Sequence, residues 1–436
     1  MRRLALALSL ILMLAFASAT SAQAQDKWVT AWAASVQGPY PVGNPSAQPD
    51  LRFAFPSPET GARDQTFRLI VTPDIWGREA RLRLSNAFGT RPVSFDGVRV
   101  GLQLASAGVM AGSSRPVTFG GKPTVTVAPG ESVWSDAVAL PFVSDGAALA
   151  GRRLALTLHI AGESGPMTWH AKALTTSYVS APGAGAIAAD DEAGFPFSTA
   201  SWYFLDAVDM MAPADTKLIV AFGDSITDGT ASTMNGEDRW PNVLARRLLA
   251  ASRKVSVINA GIGGNQVVGP PEYSPQKPFA GGPSAGARLE RDVLSLSGLS
   301  AVIWLEGIND FSRNGNASVE AVEAGMKDIV ARLRARAPGV RVIGATVTSA
   351  LGSSNAAHGF PEQDAKRKAL NEFIRTSGLF DGVADFEKAT LDPAIGGLKA
   401  EFIPESTTGG PGDKLHPNRA GYLAMGTAID LDLLLK

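Results

Sequence analysis

The 436-residue chain contains no cysteine. A disulfide framework, a thiolate nucleophile and a lipid-modified N-terminal cysteine are therefore all excluded. Histidine is scarce as well. The four present are His159, His170, His358 and His416, so the search for a catalytic base is short. Charge of one sign is not in excess: 40 Lys and Arg stand against 41 Asp and Glu, a formal net charge of -1. Nothing in that balance points to a nucleic-acid partner or a strongly acidic substrate. Apolar runs able to cross a bilayer, which takes roughly 20 residues, are also missing. The longest, from Leu4 to about Ala17, is well short of that.

What is present describes an ordinary globular protein, 45% hydrophobic and 19% charged. The length exceeds the usual size of one domain, so two domains are expected. At the N-terminus Arg2 and Arg3 precede the apolar run, and the small residues Ala22-Gln23-Ala24 follow it. This three-part layout predicts a secretory signal peptide over residues 1–24 and a periplasmic or extracellular protein after cleavage.

Residues 26–212 carry a strand rhythm. Phe67–Val71, Arg81–Leu84, Val93–Val100, Thr124–Val127 and Leu154–Ile160 are apolar, β-branched or alternating. Asp96-Gly97, Pro129-Gly130 and Gly165-Pro166 punctuate them as turns. Many short strands of this kind predict an antiparallel sandwich or jelly roll, closing with a strand at Trp202–Val208. Trp28, Trp32, Trp76, Trp134 and Trp169 would build its core or, if exposed, a binding platform.

From residue 217 to 436 the rhythm changes. Apolar strand candidates at Leu218–Phe222, Val255–Ile258, Ala301–Leu305, Val340–Ala345 and Gly382–Phe386 alternate with helical stretches. Those helices are predicted at Trp240–Ala251, Ala287–Leu296, Ser318–Arg336, Asp364–Thr376 and Ala420–Leu435. Such alternation predicts a parallel sheet with helices on both faces.

The chemistry-bearing residues lie at the ends of these strands, where open parallel sheets gather reacting groups. The first strand stops at Gly223-Asp224-Ser225. A serine hydroxyl becomes a nucleophile only when a base takes its proton. His416 follows Asp413 by three residues, so one turn of chain could present a base together with the carboxylate that orients it. His159 reads as a strand residue, and neither His170 nor His358 has a comparable acidic partner in sequence. The Gly-rich stretch Asn259–Asn265 follows the second strand, and Asn309 follows the third. Converging N–H groups and a side-chain amide there could hold an oxyanion. The loop Gly269–Gly286, dense in Pro and Gly and carrying Tyr273 and Phe279, could wall the substrate pocket.

With these four blocks in order, the chain resembles the SGNH (GDSL-type) hydrolases over about residues 217–436. The matching residues are Gly223-Asp224-Ser225, Gly264 closing Asn259-x-Gly261-x-x-Gly264, Gly307-x-Asn309-Asp310 and Asp413-x-x-His416-Pro417. Ile226 stands where the first block often has Leu, and no Gly-x-Ser-x-Gly elbow is present. The resemblance implies a flavodoxin-like sheet and an esterase or lipase with Ser225 as nucleophile, His416 as base and Asp413 as its orienter. It implies an oxyanion hole from the Ser225 and Gly264 N–H groups and the Asn309 side chain, with no metal or cofactor. The first half, including Thr30–Ser35, is similar to the β-rich N-terminal domain of some secreted members. A carbohydrate O-acetylesterase or an acyltransferase on glycans would use the same residues. A non-catalytic binding protein with a vestigial hydrolase half is the alternative from another class.

Overall fold

The computed structural model describes residues 25–435, so the leader expected over residues 1–24 lies outside the described residues. Five strands form one all-parallel sheet in the order Val255–Gly261, Lys217–Gly223, Leu299–Leu305, Arg341–Ala345 and Gly382–Ala384. In chain order that is the second, first, third, fourth and fifth strand, the flavodoxin-like arrangement. Consecutive residues Leu218, Ile219, Val220, Ala221 and Phe222 are all fully buried. Burial without alternation means that both faces of the sheet are covered. Trp240–Ala250 and Arg419–Ala428 pack together, and Val319–Arg336 packs on Pro361–Thr376. The helix Val319–Arg336 shows why this sequence coils. Ser318 caps it by accepting from the Ala321 N–H at 3.2 Å. Val322, Met326, Ile329, Val330 and Leu333 then form its buried stripe.

The switch of strand order falls at the first strand, whose neighbours run on to the left and to the right from it. Loops leaving neighbouring strands there diverge and leave a crevice at their C-terminal ends. Ser225, Gly264 and Asn309 follow three adjacent strands and so meet at that crevice.

The N-terminal region is β-rich and antiparallel. One sheet runs Lys27–Ala33, Leu205–Ala212, Glu79–Ser85 and Ser132–Trp134. The other centres on Arg63–Val71, Leu154–Glu163 and Val93–Leu102. Phe67, Leu69, Val71, Leu82, Leu84, Val208 and Met210 form part of one apolar cluster drawn from both sheets. Trp32 and Trp169 are buried there, and Trp28, Trp76 and Trp134 are half-buried, so none stands as an exposed platform.

The strand expected at Trp202–Val208 is two strands. Phe204 takes a left-handed φ of +60°, ending Trp202–Tyr203 before Leu205–Ala212 begins. Trp202–Tyr203 pairs with Trp169–His170, which matters for the site. The expected helix Ala287–Leu296 is α-helical only over Ala285–Leu289 and widens into a π turn over Glu290–Leu294. The buried Arg288 of the α-helical part bonds Asp292 of the widened part at 3.2 Å. The last helix stops at Ala428 and resumes at Asp432–Leu435.

The two regions share a packed boundary. Thr30 donates its N–H to the Ser297 carbonyl at 3.0 Å and accepts from the Ser297 N–H at 2.9 Å. Val29, Ala207 and Ala212 belong to the apolar cluster of the parallel sheet. No helix among the described residues is long and apolar enough to cross a membrane.

Candidate active site

Gly223 ends the first parallel strand because nothing larger fits: a Cβ would lie 2.3 Å from the Leu305 carbonyl oxygen. Asp224 then caps the short helix Ser225–Asp228 by accepting from the Ile226 N–H at 2.9 Å. The cap places Ser225 on the first helical residue, with its backbone N–H among the donors that a helix start leaves free. Asp224 is buried, and that burial drives its carboxyl far above the usual range, with the Glu306 and Asp310 charges adding to the push. It shapes the turn.

His416 Nε2 lies 2.8 Å from Ser225 Oγ, and His416 Nδ1 lies 2.6 Å from Asp413 Oδ2. An ionised carboxylate can only accept, so Nδ1 carries a proton and the neutral ring accepts the Ser225 hydroxyl through Nε2. Asp413 Oδ1 accepts the N–H groups of Leu415 and His416, each at 2.9 Å. Lys414 makes this tight turn possible with a left-handed φ of +58°. Burial alone would raise the Asp413 pKa. The bonds from the His416 ring and the two N–H groups outweigh it and hold the carboxyl well below the ordinary range.

Gly264 has φ +88°, and a Cβ there would come within 2.7 Å of Asn44 Nδ2. Neither the Gly264 nor the Ser225 backbone N–H has a hydrogen-bond acceptor among the described residues. Asn309 donates its amide to the Asn265 carbonyl at 3.0 Å. Next to it, Asp310 accepts the N–H groups of Val267 and Val268 at 2.9 and 3.0 Å, tying the loop after the second strand to the loop after the third. Burial pushes Asp310 up to about 7 against those two bonds. All five residues expected at the site, Ser225, Gly264, Asn309, Asp413 and His416, therefore lie around one crevice; four line the same cleft of about 450 Å³, and Asp413 stands behind His416.

Several residues that sequence reasoning missed complete it. Arg288 is fully buried and bonds the Gly223 and Ala260 carbonyls at 2.8 and 2.7 Å and Asn265 Oδ1 at 2.6 Å. Its guanidinium thus fixes the ends of the first two strands and the Gly-rich turn. His358 lines the cleft, and its Nδ1 accepts from Gln363 Nε2 at 2.8 Å. Burial, then the neighbouring His416, lowers its pKa to about 4, so the ring is neutral at physiological pH.

The N-terminal region also reaches the site, and one expectation needs correcting there. His170, which lacks an acidic neighbour in sequence, has one in space: its Nε2 lies 3.1 Å from Asp228 Oδ1. Its Nδ1 faces the Ser35 carbonyl at 2.7 Å, and the ring stacks on Trp202. Asp228 Oδ2 in turn accepts the Gly263 N–H at 3.0 Å. A buried chain of contacts therefore runs from the antiparallel region, through the helix that begins at Ser225, to the peptide beside Gly264. His159 is the strand residue expected, and it bridges Asp96 and Asp64 at 2.5 and 3.0 Å.

The Gly269–Gly286 loop is a wall of the cleft through Phe279, Ala280 and Gly281. It is also pinned: Gln37 Nε2 donates to the Ala280 carbonyl at 2.8 Å, and the Tyr273 hydroxyl bonds the Gly38 backbone. Gly43, Asn44, Pro45, Ser46 and Lys172 line the cleft from the N-terminal side.

Ser225, His416 and Asp413 thus stand in a bonded row at the C-terminal edge of a 2-1-3-4-5 parallel sheet. Residues 221–424 match the GDSL-like Lipase/Acylhydrolase family. No curated protein matches the chain. Among solved structures it is similar to an aryl esterase from M. smegmatis, with 18% identity over 49% of this chain and 96% of that one at a TM-score of 0.38. A lipase/acylhydrolase from Enterococcus faecalis shows 22% identity over 49% and 93%, with a TM-score of 0.37. A carbohydrate acetylesterase from Sinorhizobium meliloti shows 17% identity over 49% and 96%, with a TM-score of 0.35.

Proposed function

We propose that the protein is an exported serine esterase that hydrolyses carboxylic esters, with residues 26–212 a β-sandwich domain and residues 217–436 the hydrolase domain. The observation that carries this reading is the relay from Ser225 Oγ through His416 to Asp413, with both bonds at hydrogen-bonding distance. Ser225 Oγ attacks the ester carbonyl carbon while His416 Nε2 takes the hydroxyl proton. The carbonyl oxygen, now an anion, is held by the N–H groups of Ser225 and Gly264 and by the Asn309 amide. Collapse breaks the bond to the alcohol oxygen, which leaves with the proton from His416. Water then gives a proton to His416 Nε2 and attacks the acyl carbon, and the proton returns to Ser225 as the acid departs. Asp413 stays ionised throughout and stabilises the imidazolium. The route calls on no metal or organic cofactor.

The freedom of the Ser225 and Gly264 N–H groups supports the oxyanion role. Asn309 has a polar partner already, so it would donate its second amide hydrogen. Asn309→Ala is expected to lower kcat on 4-nitrophenyl acetate by about 10²–10³. An unchanged kcat would remove Asn309 from the hole.

A second reading, a carbohydrate O-acetylesterase or a glycan acyltransferase, draws support from the cleft lining. Asn44, Gln266, Asn314 and Asn355 present amides there, whereas Phe279 and Leu415 are its only large apolar side chains. A long acyl chain would find little apolar surface to bury in such a cleft. The deciding experiment compares hydrolysis of 4-nitrophenyl esters of increasing chain length with release of acetate from acetylated glycans, alongside labelling by a fluorophosphonate. A folded protein that neither hydrolyses nor labels would return the non-catalytic binding reading to the front.

A further inference from the structure

The floor of the cleft holds a cation that the ester mechanism does not use. Lys172 lies two residues beyond the end of the Trp169–His170 strand, and its neighbours fix it there. Ala173 donates its N–H to the Ala200 carbonyl at 2.9 Å, and the Ala171 carbonyl accepts from Ser201 Oγ at 2.7 Å. The side chain is 4% exposed and lines the same cleft as Ser225 and His416. A Cβ on Gly263 would stand 3.1 Å from its Nζ, so the ammonium lies against the peptide next to Gly264.

Its hydrogen bonding is incomplete. The ammonium has three donors, and among the described residues its one side-chain bond is to Thr230 Oγ1. No carboxylate lies within ion-pair distance of it among those residues. A buried, incompletely paired charge is costly unless a partner completes it. Burial pushes its pKa down and the Arg239 charge adds to that, while the charges of Asp228, Asp413 and Asp224 pull the other way from farther off. Among the described residues no Asp or Glu lines the cleft, so an anion entering it meets no like charge on those walls. The rest of the lining is amide and hydroxyl, suited to the oxygen-rich face of a sugar.

We propose that Lys172 is the centre of a subsite that binds a carboxylate on the substrate, so that the preferred ester is carried by an acidic carbohydrate. The ammonium would donate its two free hydrogens to the carboxylate oxygens while Thr230 holds it in place. This deepens the esterase reading and rests on it for the reaction, although binding at the subsite does not depend on Ser225. The N-terminal region would then select the substrate that the C-terminal domain cleaves.

The test uses the full chain with Ser225→Ala, so that ligand survives, and measures calorimetric binding of a methyl glucuronide against the matched neutral glucuronamide. A charge-assisted pair predicts about 10- to 100-fold tighter binding of the acid. That ratio should collapse toward unity in Ser225→Ala/Lys172→Gln and be partly kept in the Lys172→Arg counterpart. Equal binding of acid and amide, binding of neither, or a preference that survives Lys172→Gln each overturns the proposal. The acid–amide comparison needs no Lys172 variant, so a folding defect in one cannot rescue the idea. Fluorophosphonate labelling of the unmutated protein reports separately on the esterase reading. Labelling without acid preference sinks the subsite alone, and acid preference without labelling sinks the esterase alone.

Discussion

The two regions of this molecule build their share of the cleft by different means. The parallel sheet contributes through strand ends: Ser225, Gly264 and Asn309 each follow one of three adjacent strands. The antiparallel region contributes support from the end of a short strand, at His170, and cleft wall from beyond that strand and from a loop, at Lys172 and Asn44. The first arrangement is dictated by topology, since any protein with this strand order opens a crevice there. The second depends on how two regions happen to pack. Chemistry is thus concentrated in one region, and its walls and part of its support come from the other.

The sharpest way to break that division is to remove the proposed nucleophile. Ser225→Ala should lower kcat on 4-nitrophenyl acetate by about 10⁶ and abolish fluorophosphonate labelling, with an unchanged melting temperature. Retained labelling would place the nucleophile elsewhere. Asp413→Asn should cost about 10⁴, because the amide no longer holds the tautomer in which Nε2 accepts. A loss of only a few-fold would mean that the two N–H bonds to Asp413 matter more than its charge.

The next prediction asks whether the catalytic domain is independent of its neighbour. His170→Ala leaves the buried Asp228 carboxylate without its partner, at a cost of about 3–5 kcal/mol in unfolding free energy. Denaturant melts would read the stability. The accompanying fall should lie in kcat more than in KM, because Asp228, which holds the Gly263 N–H, loses the imidazole contact that orients it. If His170→Ala melts like the parent and turns over equally fast, the two regions are energetically separate.

The smallest effect concerns pH, and two carboxyls at the site act in opposite directions. Asp310 has a folded pKa near 7, above its ordinary 3.8. Between those values the native state binds more protons than the unfolded chain, so stability falls as pH rises from about 4 to 7. Asp413 is shifted the other way from 3.8. Its stabilisation is complete above that pH and is lost as pH falls toward its lower folded value. Melting temperatures of the parent and Asp310→Asn across pH 4 to 7 should show the shallower decline in the variant. Parallel curves would contradict the assignment to Asp310.

Much of the C-terminal domain was legible in the sequence. Apolar runs ending at Phe222, Ile258 and Leu305 announced buried parallel strands, and the residues just beyond them carried the motif. Asp413 and His416 were legible because they are three residues apart and meet within one turn. Contacts made across the fold left no such mark. His170 and Asp228 are separated by 58 residues, and Asn44 reaches Gly263 across 219. Arg288 sits in what reads as an ordinary amphipathic helix, and its bonds to the Gly223 and Ala260 carbonyls span 65 and 28 residues. Phe204 escaped notice because a left-handed aromatic inside a strand pattern has no compositional signal.

The bond from Asp228 to the Gly263 N–H and the contact from His170 to Asp228 bear on how such a protein can be inherited or re-engineered. A recombination point drawn near residue 215 looks harmless in the linear chain, yet it separates an acid from the imidazole that satisfies it. Exchange of the first half for an unrelated partner would succeed only with a donor offered at the same spot. The two halves are thus better regarded as one heritable unit, in which a new front half must fit the old catalytic half before it can change what that half cleaves.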